Sequence, residues 1–304
     1  MLMRNVFIRL AAVIIACSTG VWLAYTQGQP PITPSKLNKI SENLYELQTA
    51  YLKIPGTKEN PVGIPPEGRS NGGNVAIYLT SEGVIVVDDK FQMNFSDIMT
   101  SVKSLTDKPV KYVLSTHHHQ DHSGGHVQFL AAGAQIVAQR NNRLNMERGK
   151  QPGLPQLTFT DEASVYLGGK EVRMRYFGPA HTNGDAVVYF PEERAIHTGD
   201  IVEGENYEVY VDATGGGSIV EYTNTLDALL KTDFVTVIPG HGPLMKKDDV
   251  VKYRNRVESL RNGLISMLRQ NKSKDEITAL LQRDFSFYQT ALIDGMLGQL
   301  KGRF

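Results

Sequence analysis

The sequence predicts a layered α/β domain, and three observations predict it. Short apolar runs bounded by Gly, Pro or Asn recur along the chain, as strands require. Helical segments fall between them, so that two groups of strands are interspersed with helices. Histidines and aspartates gather just past the ends of several strands, where loops on a rigid scaffold assemble sites. The pattern alone leaves two architectures open: a doubly wound sheet, and a sandwich with helices on its outer faces.

Taken in order, residues 43–52 read as a strand. Residues 53–73 hold Pro55, Pro61, Pro65, Pro66 and five glycines, and are expected to form a long mobile flap. Residues 74–80 and 83–88 are strands joined by the turn Ser81-Glu82-Gly83. Residues 95–105 fit a helix, and Val110 to Ser115 is a buried strand running straight into a histidine cluster. A helix, a short strand and a second helix carry the chain to about residue 148. Residues 164–177 form a hairpin turning at Gly168-Gly169. Residues 186–190, 195–198 and 235–238 are strands, and 218–231 and 248–270 are helices. The last helices begin near Ser273, where Ser273-Lys274-Asp275-Glu276 has the form of a capping box.

The 304 residues are 41% hydrophobic and 21% charged, enough apolar material for a filled core. Thirty-two basic residues balance 32 acidic ones, which does not mark a nucleic-acid binder. The single cysteine, Cys17, permits no intrachain disulfide. Arg4 and Arg9 followed by the apolar run Leu10 to Ala16 read as an export sequence. Residues 1–26 are therefore expected to be a signal peptide or an N-terminal membrane anchor. Ile14-Ile15-Ala16-Cys17 has the form of a lipidation box, while the apolar Val21 to Tyr25 suits an uncleaved anchor. Residues 27–36, with three prolines, read as a tether, and 37–304 as one domain. The location this implies is periplasmic or membrane-anchored.

The chain has eight histidines, and four of them lie in the segment from His117 to Gly124. Imidazole and carboxylate are natural ligands of zinc and similar metals. His117 and His119 sit two apart at a strand end, and in extended backbone such residues face the same way. Asp121 and His122 follow where Ser123-Gly124-Gly125 is expected to turn the chain toward a second ion. His181 lies in Pro179-Ala180-His181-Thr182-Asn183-Gly184-Asp185, Asp200 ends Thr198-Gly199-Asp200, and His241 lies in Pro239-Gly240-His241-Gly242-Pro243. Any one of these histidines alone would read as structural; the set reads as a two-metal site.

His-x-His-x-Asp-His, a later Gly/Pro-flanked His, Gly-Asp and Pro-Gly-His-Gly, in that order, resemble the metallo-β-lactamase superfamily. Thr116 to Gly125 is especially similar to the glyoxalase II-type members, and Val86-Val87-Asp88 resembles the family's first motif. The resemblance covers roughly residues 40–245. It implies an αββα sandwich with metals at one edge. By that resemblance His117, His119 and His181 hold one divalent ion, Asp121, His122 and His241 hold the other, and Asp200 bridges them. Zinc is the first expectation for both. Lactamases with cysteine at the bridging place are not matched, since Asp200 stands there.

The implied chemistry is hydrolysis of a lactam, lactone, ester or thioester by a hydroxide that the two cations generate. Asp121 is the expected catalytic acid or base. A small-molecule substrate follows, and the oligomeric state is left open. Phosphoester hydrolysis and iron-dependent redox chemistry are the alternatives on the same scaffold. Asp88 and Asp185 are candidates to orient ligand rings. Tyr207 and Tyr210 are candidates to line the pocket. His118, His126 and His197 read as non-ligands. Lys246, Lys247, Lys252, Arg254 and Arg256 read as a solvated helix face or, more sharply, an anion clamp.

Overall fold

The computed structural model describes residues 35–49, 72–205, 207–285, 287 and 289–301. The expected export segment and nearly all of the tether lie outside these residues, as does residues 53–71 of the expected flap. Among the described residues no helix is long and apolar enough to cross a membrane.

Two mixed sheets face each other. The first has seven strands in chain order: β1 (Lys36–Lys39), β2 (Leu44–Gln48), β3 (Val75–Leu79), β4 (Val84–Val87), β5 (Val110–Ser115), β6 (Gln135–Gln139) and β7 (Leu157–Phe159). The second runs, from one edge to the other, β13 (Met245–Lys246), β12 (Thr236–Ile238), β11 (Ala195–His197), β10 (Val187–Phe190), β9 (Lys170–Arg175) and β8 (Glu162–Leu167). β4 and β5 pair in parallel, as do β11 and β12.

The alternation of side chains decides the layering. Ala76, Tyr78, Ile85 and Val87 point between the sheets, where they join Val172, Met174, Val188 and Phe190 of the second sheet. Tyr78 and Phe190 meet edge to face across this layer, with ring centroids 5.1 Å apart. Val75, Ile77, Val84 and Val86 point the other way and pack with Ile98 and Val102 of α1 (Phe95–Leu105) and Phe129 of α3 (His126–Ala131). β3 and β4 are apolar on both faces because both faces are covered. The second sheet's outer face is covered by α5 (Tyr222–Leu229), α6 (Lys247–Arg269), α7 (Lys274–Phe285) and α8 (Ile293–Leu300) around Ile196, Val237, Val257 and Leu264. The result is the αββα sandwich, and the doubly wound alternative is excluded by the two facing sheets. Each fully buried Leu, Ile or Phe here contributes about 1.5–3 kcal/mol.

The remaining helices are the single turn α2 (Gln120–Ser123) and α4 (Arg140–Arg148). Three strands were not foreseen: β1, β7 and β13. β1 and β13 have no buried residue and β7 only one, so they lack the apolar signature on which strand prediction rests. The turn that redirects Asp121 and His122 is also not the Ser-Gly-Gly segment. α2 begins at Gln120 itself and carries both residues on it.

Candidate metal centre

Parallel pairing puts the carboxyl ends of β4, β5, β11 and β12 at one edge of the sandwich, and the seven predicted ligands converge there. His117 and His119 follow β5, with ring centroids 4.8 Å apart. Asp200 sits in a tight turn, Gly199–Ile201, just past β11, and His241 follows β12. His181 lies in the loop before β10. Single ligand atoms of His117, His119, His181 and Asp200 all lie within 4.8 Å of one another, and those of Asp121, His122 and His241 do likewise.

Asp200 faces both sets. Its Oδ2 is 3.6 Å from His117 Nε2 and 3.6 Å from His181 Nε2. Its Oδ1 is 3.1 Å from His122 Nε2 and 3.6 Å from His241 Nε2. Close approach is possible because Gly240 has no side chain; a Cβ there would strike Asp200 Oδ1. Gly73 is required for the same reason, since a Cβ would enter the His122 ring.

Hydrogen bonds decide which nitrogen faces inward in the rings of His117, His119, His122 and His181. Asp88, in left-handed backbone at φ 60°, accepts from Thr116 N at 2.7 Å, Thr116 Oγ1 at 2.8 Å and His122 Nδ1 at 2.8 Å. The Thr116 hydroxyl has given its hydrogen to Asp88, so it accepts from His117 Nδ1 at 3.1 Å. His117 Nε2 is then a buried lone pair with no hydrogen-bond partner. His181 Nδ1 donates to Tyr210 O at 3.0 Å, and His119 Nε2 donates to Asp212 Oδ2 at 3.0 Å. That leaves His181 Nε2 and His119 Nδ1 facing each other at 2.9 Å. His122 Nε2 and His241 Nε2 meet similarly at 3.2 Å. Lone pairs aimed at one another are stable only with a cation between them, so these donors fit metal ions.

In the metal-free chain, protons take that place at His122 and His241. Burial alone would lower His122, but Asp200 and Asp121 raise it well above its ordinary value. Burial likewise opposes a charged His241, yet Asp200 and Asp121 push it up to about 10. Burial, assisted by His119, pushes His181 down to about 4. Asp200 is held well below the carboxylate range: burial would raise it, but the His122, His241 and His117 rings outweigh that.

Asp88 touches a ligand ring, as expected of it. Asp185 does not: it accepts from Thr182 N at 2.8 Å and from Thr182 Oγ1, and so braces the loop that carries His181. His197 is buried against Asn74 O at 3.1 Å, and His126 pairs with buried Asp89 at 2.6 Å. Tyr207 stacks on His241 and Tyr210 on His119, with centroids 5.5 and 5.6 Å apart. The basic residues of α6 and the strand before it are mostly engaged in ordinary surface contacts. Arg254 pairs with Asp227 and Glu258, Lys252 with Asp249, and Lys247 bonds Thr232 O at 2.8 Å.

Three residues escaped the sequence reading. Asp212 holds His119 and also lies 3.6 Å from His118 Nε2. Asn74 donates through Nδ2 to Pro239 O at 3.0 Å and Gly242 O at 2.8 Å, pinning the loop that carries His241. Glu203 is buried with a ligand atom within 4.8 Å of those of Asp200 and His241; burial and then Asp200 raise it well above the carboxylate range. None stands in a local motif, so no string of neighbouring residues announces them.

Residues 71–241 match the model of the metallo-beta-lactamase superfamily. A metallo-beta-lactamase type 2 of Elizabethkingia meningoseptica is 26% identical over 193 residues, covering 63% of this chain and 71% of that protein. A beta-lactamase-like protein 2 homolog of Caenorhabditis elegans is 24% identical over 249 residues, covering 79% and 77% respectively. Among solved structures, a metallo-beta-lactamase from Pontibacter korlensis superposes with TM-score 0.64 at 20% identity, over 74% of this chain and 99% of that one. The DIM-1 metallo-beta-lactamase superposes with TM-score 0.62 at 18% identity, over 75% and 98%.

Proposed function

Because the chain belongs to the metallo-β-lactamase superfamily and is a metal-dependent hydrolase acting on small molecules, we propose that it is a two-metal hydrolase of acyl bonds, with a lactam, lactone, ester or thioester as substrate. One observation carries this reading: the two carboxylate oxygens of Asp200 face two separate groups of donors. His117, His119 and His181 would hold the first ion, Asp121, His122 and His241 the second, and Asp200 both. Their imidazole-rich composition suits zinc. Aspartate rather than cysteine at position 200 favours the broader acyl hydrolases over a dedicated β-lactamase. The basic, then apolar, first residues support export of the chain to a periplasmic or membrane-anchored location.

When bound, the ions supply an activated water near neutral pH and a Lewis acid for the substrate carbonyl. The protein's own part is orientation and proton handling. Asp88, Asp212 and Tyr210 O hold three rings with their lone pairs inward. Asp121 is the more open of the two central carboxylates, at 24% exposed against 4% for Asp200. It is therefore placed to pass a proton from the attacking water to the departing group.

Asp200→Asn tests the reading. The amide keeps the shape, loses the charge and binds cations weakly. Turnover should fall by at least about 10²-fold, with the Michaelis constant moving much less. Metal content, melting temperature and kinetics are measured on one preparation. A folded variant that keeps two ions and near-normal turnover would end the bridging proposal.

A further inference from the structure

The rings of His119 and His181 are held by one loop, and that loop is fastened at its far end by a residue of the last helix. Tyr210 O accepts from His181, and Asp212 accepts from His119. Asp212 N also donates to His181 O at 2.9 Å, and Ser218 N to Ala180 O at 2.8 Å. Residues 210–218 therefore grip the His181 segment at two backbone points and both rings at a third and fourth. Gly217 N closes the loop on itself by donating to Asp212 O at 2.7 Å.

Gln299, on α8, holds this loop with both ends of its amide. Its Oε1 accepts from Ile219 N at 2.9 Å, and its Nε2 donates to Gly217 O at 2.6 Å. A side-chain amide that satisfies a backbone N–H and a backbone C=O together acts as an extra strand partner for that stretch. The helix lies tightly on the loop. A Cβ on Gly295 would come within 2.6 Å of Ala213 Cβ. Val209, Val211 and Ile219 of the loop share one apolar cluster with Ile293, Met296, Leu297 and Leu300. The second donor set leans mainly on residues beside the first sheet, Asp88, Gly73 and Asn74, with Gly204 N also donating to His241 O at 2.9 Å.

We propose that Gln299 is a positioning residue for the first metal position, acting through the 210–219 loop on His119 and His181. It lies beyond residue 241, where the family match ends, so the chain's own C-terminal helices supply this support. The proposal rests on the two-ion reading above.

The test uses the full chain, stripped of metal and titrated with Zn(II) against a competing chelator. Gln299→Met keeps the length of the side chain and loses both hydrogen bonds. Gln299→Glu keeps the acceptor and turns the other oxygen against Gly217 O. In both, the constant for the His119–His181 ion should weaken about tenfold, as loss of ligand orientation typically does. The constant for the other ion should hold, and Asp212→Asn should reproduce the pattern. Two unchanged constants, or two that weaken equally alongside a lower metal-free melting temperature, would reduce Gln299 to packing and overturn the proposal. A wild type that binds a single ion would instead sink the two-ion reading. The positioning role would then stand or fall on whether Gln299→Met weakens that ion as Asp212→Asn does. Should Gln299→Met fail to fold, Gln299→Glu and the Co(II) absorption of the loaded chain decide the same question.

Discussion

The two halves of the metal centre are built differently. Around His122 and His241 the supports are mostly strand ends and buried side chains beside the first sheet, with Gly204 N holding His241 O at 2.9 Å. Asp88 and His122 are fully buried, Gly73 N bonds Asp121 O at 2.8 Å, and Asn74 N bonds Gly240 O at 2.7 Å. Around His119 and His181 the support is a loop, and the His119 and Asp212 side chains remain 20% and 16% exposed. A group on a packed sheet can leave its place only by disturbing the core, whereas a loop can leave by breaking a few bonds. On the two-ion proposal, the first position should therefore be the more easily altered from a distance, and the second the more costly to damage at all.

The sharpest break of this contrast is Asp88→Ala. It removes one acceptor from three donors, all buried, and each orphaned polar group costs about 1–3 kcal/mol. A large fall in melting temperature is expected, together with loss of about 10- to 100-fold in affinity for the ion at His122. Calorimetry and metal titration of the same sample measure both, and a normal melting curve would show that Asp88 carries no structural load. Asp212→Asn should be milder. Asp212 sits near the surface, so stability should barely change, while the His119 ion weakens about tenfold. Equal weakening of both ions would erase the distinction between the halves.

The smallest expected effect concerns the metal-free chain. His241 is raised from an ordinary value of 6.5 to about 10, so it holds its proton more tightly folded than unfolded. Such a ring stabilises the fold fully below pH 6.5 and ceases to do so as the pH rises through about 10. The metal-free melting temperature should drift down across that window. With metal bound, His241 is already deprotonated, and the drift should vanish. Parallel pH curves for the two forms would contradict this.

How much of this was legible beforehand follows the same division. The strand-end ligands could be read because their partners are adjacent in sequence: His117, His119, Asp121 and His122 form one string, and Gly199-Asp200 and Gly240-His241 carry their glycines beside them. The αββα layering followed from the resemblance, since apolar runs alone did not choose between two architectures. Asp212, Asn74 and Gln299 could not be read. They meet their partners across 93, 165 and 82 residues respectively, and nothing local marks a residue whose role lies that far away. Asp185 misled for the complementary reason: it lies close to His181 in sequence but spends both oxygens on Thr182.

The Asp200 carboxylate has one more consequence, a mechanical one. Each donor set mixes residues from both sheets: His117 and His119 with His181 and Asp200, Asp121 and His122 with His241. An ion held there would be a rivet through the two layers of the sandwich, placed at their shared edge. Sliding or prising the sheets apart would have to pull the rivets first. Cations bound there would therefore resist shear, and a chelator would act on this protein as a solvent does on a glued joint, loosening the layers before either one unravels.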